Sequence, residues 1–250
     1  MRLVTWNCCR GKIAAKAPHA FALAPDVLVM PECAKPAPDD SRWLWMGENP
    51  NQGLGVWARE GIALRPFPEA PDVPRFAFPV EVGGPEPFFL LAIWSLADKP
   101  HPYVKAVIRA VESYADVIAS RPSVVMGDFN SNAIWNRKTP GSRDHGYLVS
   151  LLAELGLVSA YHRFTDEAQG AETQPTFYLT WNRLLPLHID YCFLPREWAA
   201  RLTGVRVGGY DDWCTVSDHR PLVVDVGPGG GDERVAGDAH PPALPEGRTG

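Results

Sequence analysis

The chain lacks any uninterrupted apolar run of about 18 residues, the length a membrane-spanning helix needs. It also lacks an excess of positive charge. Lys and Arg number 24 against 29 Asp and Glu, a net charge of −5. That balance excludes capture of long nucleic acid by a global basic field, although it leaves a local basic cleft open. No CxxC pair occurs, and the five cysteines (Cys8, Cys9, Cys33, Cys192 and Cys214) are odd in number. A disulfide framework and a cysteine-held zinc site are therefore not expected. Cys8 and Cys9 are adjacent and cannot both point into one tetrahedral site on a strand. The first residues, Met1-Arg2-Leu3-Val4-Thr5-Trp6-Asn7, turn polar without the apolar stretch of a secretory signal. Reduced thiols and no such stretch give a cytoplasmic expectation. No internal repeat is present, and no linker interrupts 1–226.

Hydrophobic residues make up 46% of the 250, enough for a substantial core. Runs rich in Val, Ile, Leu and Phe, bounded by Gly, Pro, Asp and Asn, predict strands near 2–8, 26–31, 53–59, 76–82, 88–95, 123–127, 188–194 and 221–226. Helical spacing of Val104, Val107, Ile108, Val111, Tyr114, Ala115 and Ile118 predicts a helix over 102–119. A second helix is expected over 145–155, closed by Gly156. A third covers 12–23, with Pro18 arguing for a break. Many strands with a few helices between them suggest sheets covered by helices. Residues 227–250, opening on Gly227-Pro228-Gly229-Gly230-Gly231, have no apolar pattern and are expected to be a disordered tail behind a domain over 1–226.

Polar residues stand at the ends of these strands. Asn7 ends the first, and Glu32 follows Val27-Leu28-Val29-Met30-Pro31. Gly127-Asp128-Phe129-Asn130 closes another. Asp190 lies in an apolar strand, where a carboxylate needs a partner. Asp218 and His219 sit in Ser217-Asp218-His219-Arg220-Pro221-Leu222, just before the last strand. Strand ends let a rigid sheet present side chains to one cleft. The inventory of four carboxylates, two amides and one imidazole is what a divalent-metal phosphoesterase uses. Hard oxygen donors suit Mg²⁺ or Mn²⁺, and a His beside a buried carboxylate supports attack by water or stabilises developing charge.

These four segments, in this order, resemble the endonuclease/exonuclease/phosphatase superfamily, the type I DNase-like group. The resemblance spans about 1–226. It implies a four-layer α/β sandwich, two mixed sheets face to face with helices outside. It also implies roles. Glu32 is the principal metal ligand, Asn7 a metal or phosphate contact, and Asp218 a second metal-site or water-orienting acid. Asp128 positions or deprotonates the attacking water, Asn130 holds the phosphate, and His219 is the catalytic histidine oriented by Asp190. Two positions depart from the family pattern. Cys9 stands where many relatives have Asp, which argues for one tight metal. The segment Ile93-Trp94-Ser95-Leu96 lacks the His or Tyr that touches phosphate in many relatives. Ser95 can donate a weaker hydrogen bond there, or His101 can fold back.

Two uses of such a site follow, with nucleic acid or a small phosphate ester as the partner. The loop 131–143 sets Trp135 beside Arg137, Lys138 and Arg143 just after Asn130. Aromatic stacking with local positive charge holds single-stranded bases, which favours a nuclease. A Trp folded back on the core is the other reading of this loop. The mild acidity and the absence of a long basic insertion favour a small phosphorylated molecule. A catalytically weak relative that still binds metal remains a third class. His145, His162 and His188 are expected to be surface or structural.

Overall fold

Among the described residues of the computed structural model, 1–38, 40–97, 100–139 and 141–229, the chain opens with β1 (Arg2–Thr5), α1 (Ile13–Phe21), β2 (Val27–Cys33), β3 (Trp43–Asn49) and β4 (Gln52–Ala58). It continues through β5 (Leu64–Pro66), β6 (Ala77–Val82), β7 (Phe88–Trp94), α2 (Val104–Ser113), α3 (Ala115–Ser120) and β8 (Ser123–Asp128). Next come α4 (His145–Glu154), β9 (Leu157–Ser159), α5 (Ala160–Thr165), β10 (Phe177–Tyr178) and β11 (Pro186–Leu187). The last elements are β12 (Asp190–Pro195), α6 (Arg196–Ala199), β13 (Leu202–Val207), α7 (Tyr210–Trp213) and β14 (Leu222–Val226).

Two six-stranded sheets form, in the orders β13-β14-β1-β2-β4-β3 and β5-β6-β7-β8-β12-β9. Both are mixed, with β1–β2 and β7–β8 parallel and the other pairs antiparallel. Alternating side chains of the two sheets meet in one core that includes Leu3, Val29, Val56, Leu90, Met126, Cys192 and Val224. Helix α2 lays Val107, Ile108 and Val111 on the outside of the second sheet, with Leu148 and Leu152 of α4 beside them. Burying each such side chain contributes about 1.5–3 kcal/mol. On the outside of the first sheet, Ala20 of α1 and Trp213 of α7 close over Trp6, Leu28 and Val223. The result is the expected four-layer α/β sandwich. No described helix is long and apolar enough to cross a membrane.

Several elements differ from the sequence expectation. The helix over 102–119 divides at Tyr114, whose φ of −116° and ψ of 17° leave the helical region. Its hydroxyl accepts from the backbone N–H of Ala70, 2.9 Å away, so a tertiary contact holds the interruption. Helix α1 runs through Pro18 without ending, because Ala17 and Ala20 bury against the first sheet. Packing there outweighs the roughly 3 kcal/mol that an interior proline costs. The edge strands β3, β5 and β13 were not expected from the sequence. β13 carries Gly204 and a bulge, and β3 is only half-buried, so neither shows clean alternation. Of the expected tail, 230–250 lies outside the described residues. Gly227 is bonded to Arg201 through both its N–H (2.8 Å) and its carbonyl (2.9 Å).

Candidate active site

Parallel pairing of β1 with β2 continues past the strand end, with Trp6 N–H on Val29 O (3.0 Å) and Cys8 N–H on Pro31 O (3.1 Å). That register sets Asn7 beside Glu32. Glu32 itself sits at a bulge, where Pro31 opposes Leu54 and Cys33 opposes Gly53. Its φ of +62° is strained for a residue with a Cβ. In the other sheet Asp128 of β8 lies directly opposite Asp190 of β12. Gly127 makes the preceding approach possible, since a Cβ there would stand 1.9 Å from Ile93 O. His219 reaches in from the turn before β14, so both sheets contribute at one end of the sandwich.

Hydrogen bonds link Gln52, Glu32, Asn7, Asp128 and Asn130 in one run, and the His219–Asp190 pair lies beside it. Asn7 Nδ2 donates to Asp128 Oδ2 (2.9 Å) and Glu32 Oε1 (3.2 Å), while its oxygen accepts from Cys9 N–H (3.0 Å). Gln52 Nε2 donates to Glu32 Oε2 (3.1 Å). Asp128 accepts from the Asn130 N–H (2.9 Å) and from Asn130 Nδ2 (3.1 Å). His219 Nδ1 meets Asp190 Oδ2 at 2.8 Å, and its Nε2 lies 4.0 Å from Asp128 Oδ2. Asp128, Asp190 and His219 are all buried. Burial and the facing Asp190 push the Asp128 carboxyl up to about 7, against the pull of His219 and Asn7. Burial opposes charge on His219, but Asp190 and then Asp128 prevail and raise it to about 9. Near neutral pH the imidazole therefore holds its proton while Asp128 is poised to take one.

The donors fit a hard divalent cation. One ligand atom from each of Asp128, Asp190 and His219 falls within 4.8 Å of the others. Asp190 Oδ1 is buried without a hydrogen-bond partner. Glu32 adds a carboxylate with 21% of its side chain exposed, ringed by Asn7, Gln52 and Arg10 Nε at 3.6 Å. Asp218 is half-buried, and its backbone carbonyl accepts from Tyr178 N–H (2.9 Å). Burial, reinforced by the charges of Asp218 and Glu32, raises the Cys9 thiol to about 11. His219 holds its proton against Asp190 and offers no lone pair, so the carboxylates of Glu32 and Asp218 are the hard oxygen donors left for Mg²⁺ or Mn²⁺.

Ser95 is buried beside this run. Its carbonyl accepts from Asn130 Nδ2 (2.8 Å), and its hydroxyl has no partner. His101 lies elsewhere, lining a cavity of about 1120 Å³ with Arg75, Lys105 and Arg109. Trp135 is 51% exposed. With Arg137, Lys105, Arg143, Asn130 and Phe177 it lines a cavity of about 850 Å³. Gln52 and three further contributors were not picked out from the sequence. Thr176 Oγ1 accepts from the N–H groups of Ile189 and Asp190, each at 3.0 Å. Ser217 Oγ donates to Asn7 O (2.7 Å) and accepts from His219 N–H (3.0 Å). Phe177 stacks 4.5 Å from the His219 ring. Ser217 was legible as part of the hexapeptide around His219. Thr176 gives no local signal, because a hairpin separates it from Asp190.

Behind the site, His145, His162 and His188 form a network in which His145 and His188 are buried and His162 is half-buried. His145 meets Ser131 Oγ (3.1 Å) and Gln169 Oε1 (3.2 Å), and His162 Nε2 meets Glu172 Oε1 (3.0 Å). His188 Nδ1 meets Gln174 O (2.8 Å), and its ring packs 5.1 Å from that of Tyr191. Burial pulls His145 down to about 4, only partly offset by Gln169 and Glu172. An unfolded chain binds this proton near pH 6.5, so the network's contribution is full above that pH and is lost as pH falls towards 4. The loss from His145 is on the order of 3 kcal/mol. Denaturant unfolding at pH 7 and pH 4 checks this, with a smaller drop expected for His145→Gln. An equal drop in both proteins would assign the acid lability to other groups.

A family model described as the Endonuclease/Exonuclease/phosphatase family matches residues 4–219. No curated protein sequence matches the chain. Among solved structures, the 3′ phosphatase NExo from Neisseria bound to a product DNA hairpin superposes with a TM-score of 0.66 at 20% identity, covering 91% of this chain and 99% of that one. An AP endonuclease from Archaeoglobus fulgidus gives a TM-score of 0.64 at 15% identity, covering 90% and 99%. The endonuclease domain of TRAS1, a telomere-specific non-LTR retrotransposon, gives 0.61 at 17% identity, covering 90% and 97%. At these identities the structural likeness speaks for the fold.

Proposed function

Because the chain belongs to the Endonuclease/Exonuclease/phosphatase family, whose members are hydrolases of phosphoester bonds, we propose that it is a divalent-metal-dependent phosphodiesterase that cleaves nucleic acid. The observation carrying this is the hydrogen-bonded run from Gln52 through Glu32 and Asn7 to Asp128, with Nε2 of the His219–Asp190 pair 4.0 Å from its end. In this proposal Glu32 and Asp218 hold Mg²⁺ or Mn²⁺, while Asn7, whose oxygen is taken by Cys9 N–H, acts as an orienting donor and not as the ligand the resemblance implied. When bound, such an ion supplies positive charge to a phosphate oxygen. Asn7 reaches the site through its NH₂ group, so it also orders Glu32 and Asp128. Asp128, raised towards neutrality, takes the proton of the attacking water. Asn130 spends its NH₂ on Ser95 O and Asp128 Oδ2 and so orients Asp128, which leaves the free Ser95 hydroxyl in the same wall to donate to a phosphate oxygen. His219, protonated and held by Asp190, offers Nε2 to the developing charge.

Trp135, Arg137 and the cavity they line supply the nucleic-acid contact. Trp135→Ala should raise KM for single-stranded DNA on the order of 5- to 100-fold, the range for loss of one stacked base. kcat should stay within about twofold. An unchanged KM would place the strand elsewhere.

Incubation of the full chain with end-labelled single- and double-stranded oligonucleotides, with Mg²⁺, Mn²⁺ or a chelator, tests the proposal. Metal-dependent cleavage by wild type and none by His219→Ala is expected. Equal cleavage by the two proteins overturns it. A second reading, hydrolysis of a small phosphate ester, is favoured by the net charge of −5. Phosphate release from nucleotides or sugar phosphates, with none from oligonucleotides, would decide for it. Metal binding by calorimetry without turnover of any substrate would mark a catalytically weak relative.

A further inference from the structure

Among the described residues Arg220 is the one large charged side chain of the most fully buried set, with 1% of it exposed. Among the described residues no carboxylate lies within ion-pairing distance of it. Burial accordingly pulls its pKa below the ordinary guanidinium value. Its guanidinium packs against an edge-to-face pair of rings, 4.7 Å from the centre of Tyr178 and 4.8 Å from that of Tyr210, whose centres are 4.6 Å apart. Nη1 donates to the carbonyls of Ser217 (2.8 Å) and His219 (3.1 Å), while Nε has no partner.

A buried cation with an unsatisfied N–H is a poor way to fill space. A methionine or leucine would fit against the two rings without the cost of desolvation. What the guanidinium supplies is direction, because its two acceptors flank Asp218 in the turn that carries His219. Every carbonyl of that turn is taken. Arg220 holds Ser217 and His219, Tyr178 N–H holds Asp218 (2.9 Å), and Trp6 Nε1 also reaches His219 (3.3 Å). The Arg220 N–H donates to the carbonyl of Thr176, whose hydroxyl receives the Asp190 N–H. The backbones that carry the two ends of the His219–Asp190 bond thus meet at Arg220.

We propose that Arg220, packed against the Tyr178–Tyr210 ring pair, is a positioning residue that fixes the turn 217–219 and so holds the His219 ring between Asp190 and Asp128. It touches no substrate and acts through His219, so its kinetic consequence rests on the catalytic role proposed for that residue.

Arg220→Met keeps the volume and the ring contacts but removes both donors, whereas Arg220→Lys keeps a cation and one donor. For a folded Arg220→Met, kcat should fall on the order of 30-fold, because a displacement of about 1 Å at a reacting group can cost 10²-fold. KM should stay within about threefold, and Arg220→Lys should recover most of kcat. A second readout needs no turnover. The proton NMR resonance of His219 Nδ1–H, bonded to Asp190 in wild type, should broaden or vanish in Arg220→Met. If Arg220→Met does not fold, Tyr210→Leu decides, since it removes one ring from a half-buried position and leaves the cation in place. A folded variant with wild-type kcat and an unchanged Nδ1–H resonance overturns the proposal. If wild type cleaves no substrate, the functional proposal fails while the resonance still judges this one.

Discussion

His219→Ala should lower kcat by on the order of 10³-fold, within the range for loss of a positioned general acid or base. Asp190→Asn should approach the same loss, and the double variant should lose little more than the worse single. The two side chains act as a unit. Asp190 has no accessible surface, and its one hydrogen-bonded oxygen is 2.8 Å from His219 Nδ1. Without that carboxylate the ring loses the partner that holds its charge, and without the ring the carboxylate is buried unpaired. Steady-state kinetics on the two singles and the double check this. Losses that multiply would mean that the groups work independently, and the shared role would have to be abandoned.

Glu32→Gln is expected to weaken Mg²⁺ or Mn²⁺ binding by on the order of 100-fold while leaving the fold intact. A hard cation needs the carboxylate charge, which glutamine lacks at nearly the same volume. Stability should change by no more than about 0.5 kcal/mol. The strained φ of +62° is kept by either residue, and the amide oxygen can keep one of the two donors, Asn7 or Gln52, that now bond separate oxygens at this partly exposed edge. Titration calorimetry with each metal and a thermal melt separate the two effects. Unchanged affinity would remove Glu32 from the metal site. A collapsed melt with unchanged affinity per folded molecule would make it a structural residue.

Strand ends were legible because the apolar runs before Asn7, Glu32 and Asp128 stop abruptly at polar groups. Asp190 was legible because it interrupts an apolar strand. That the two aspartates face one another was not legible. It follows from antiparallel pairing of β8 with β12, elements separated by α4, β9 and α5. The same holds for Asn7 as a bridge, since its partners come from both sheets. Thr176, Gln52 and Arg220 act through backbone groups or across hairpins, which no local spacing encodes. Helix α1 shows the reverse failure, with a local breaker at Pro18 overruled by tertiary burial. The split at Tyr114 depends on a contact with Ala70 that lies 44 residues away.

The bond from Ser217 Oγ to the carbonyl of Asn7 joins residues 210 apart. A ribosome adding roughly 5–20 residues per second needs about 10–40 s to cover that interval. For all of that time the nascent chain holds Glu32 and Asn7 but lacks the histidine that completes the chemistry. A polypeptide that cuts nucleic acid would therefore be harmless to the message and ribosomal RNA around it until the turn that carries His219 has been made.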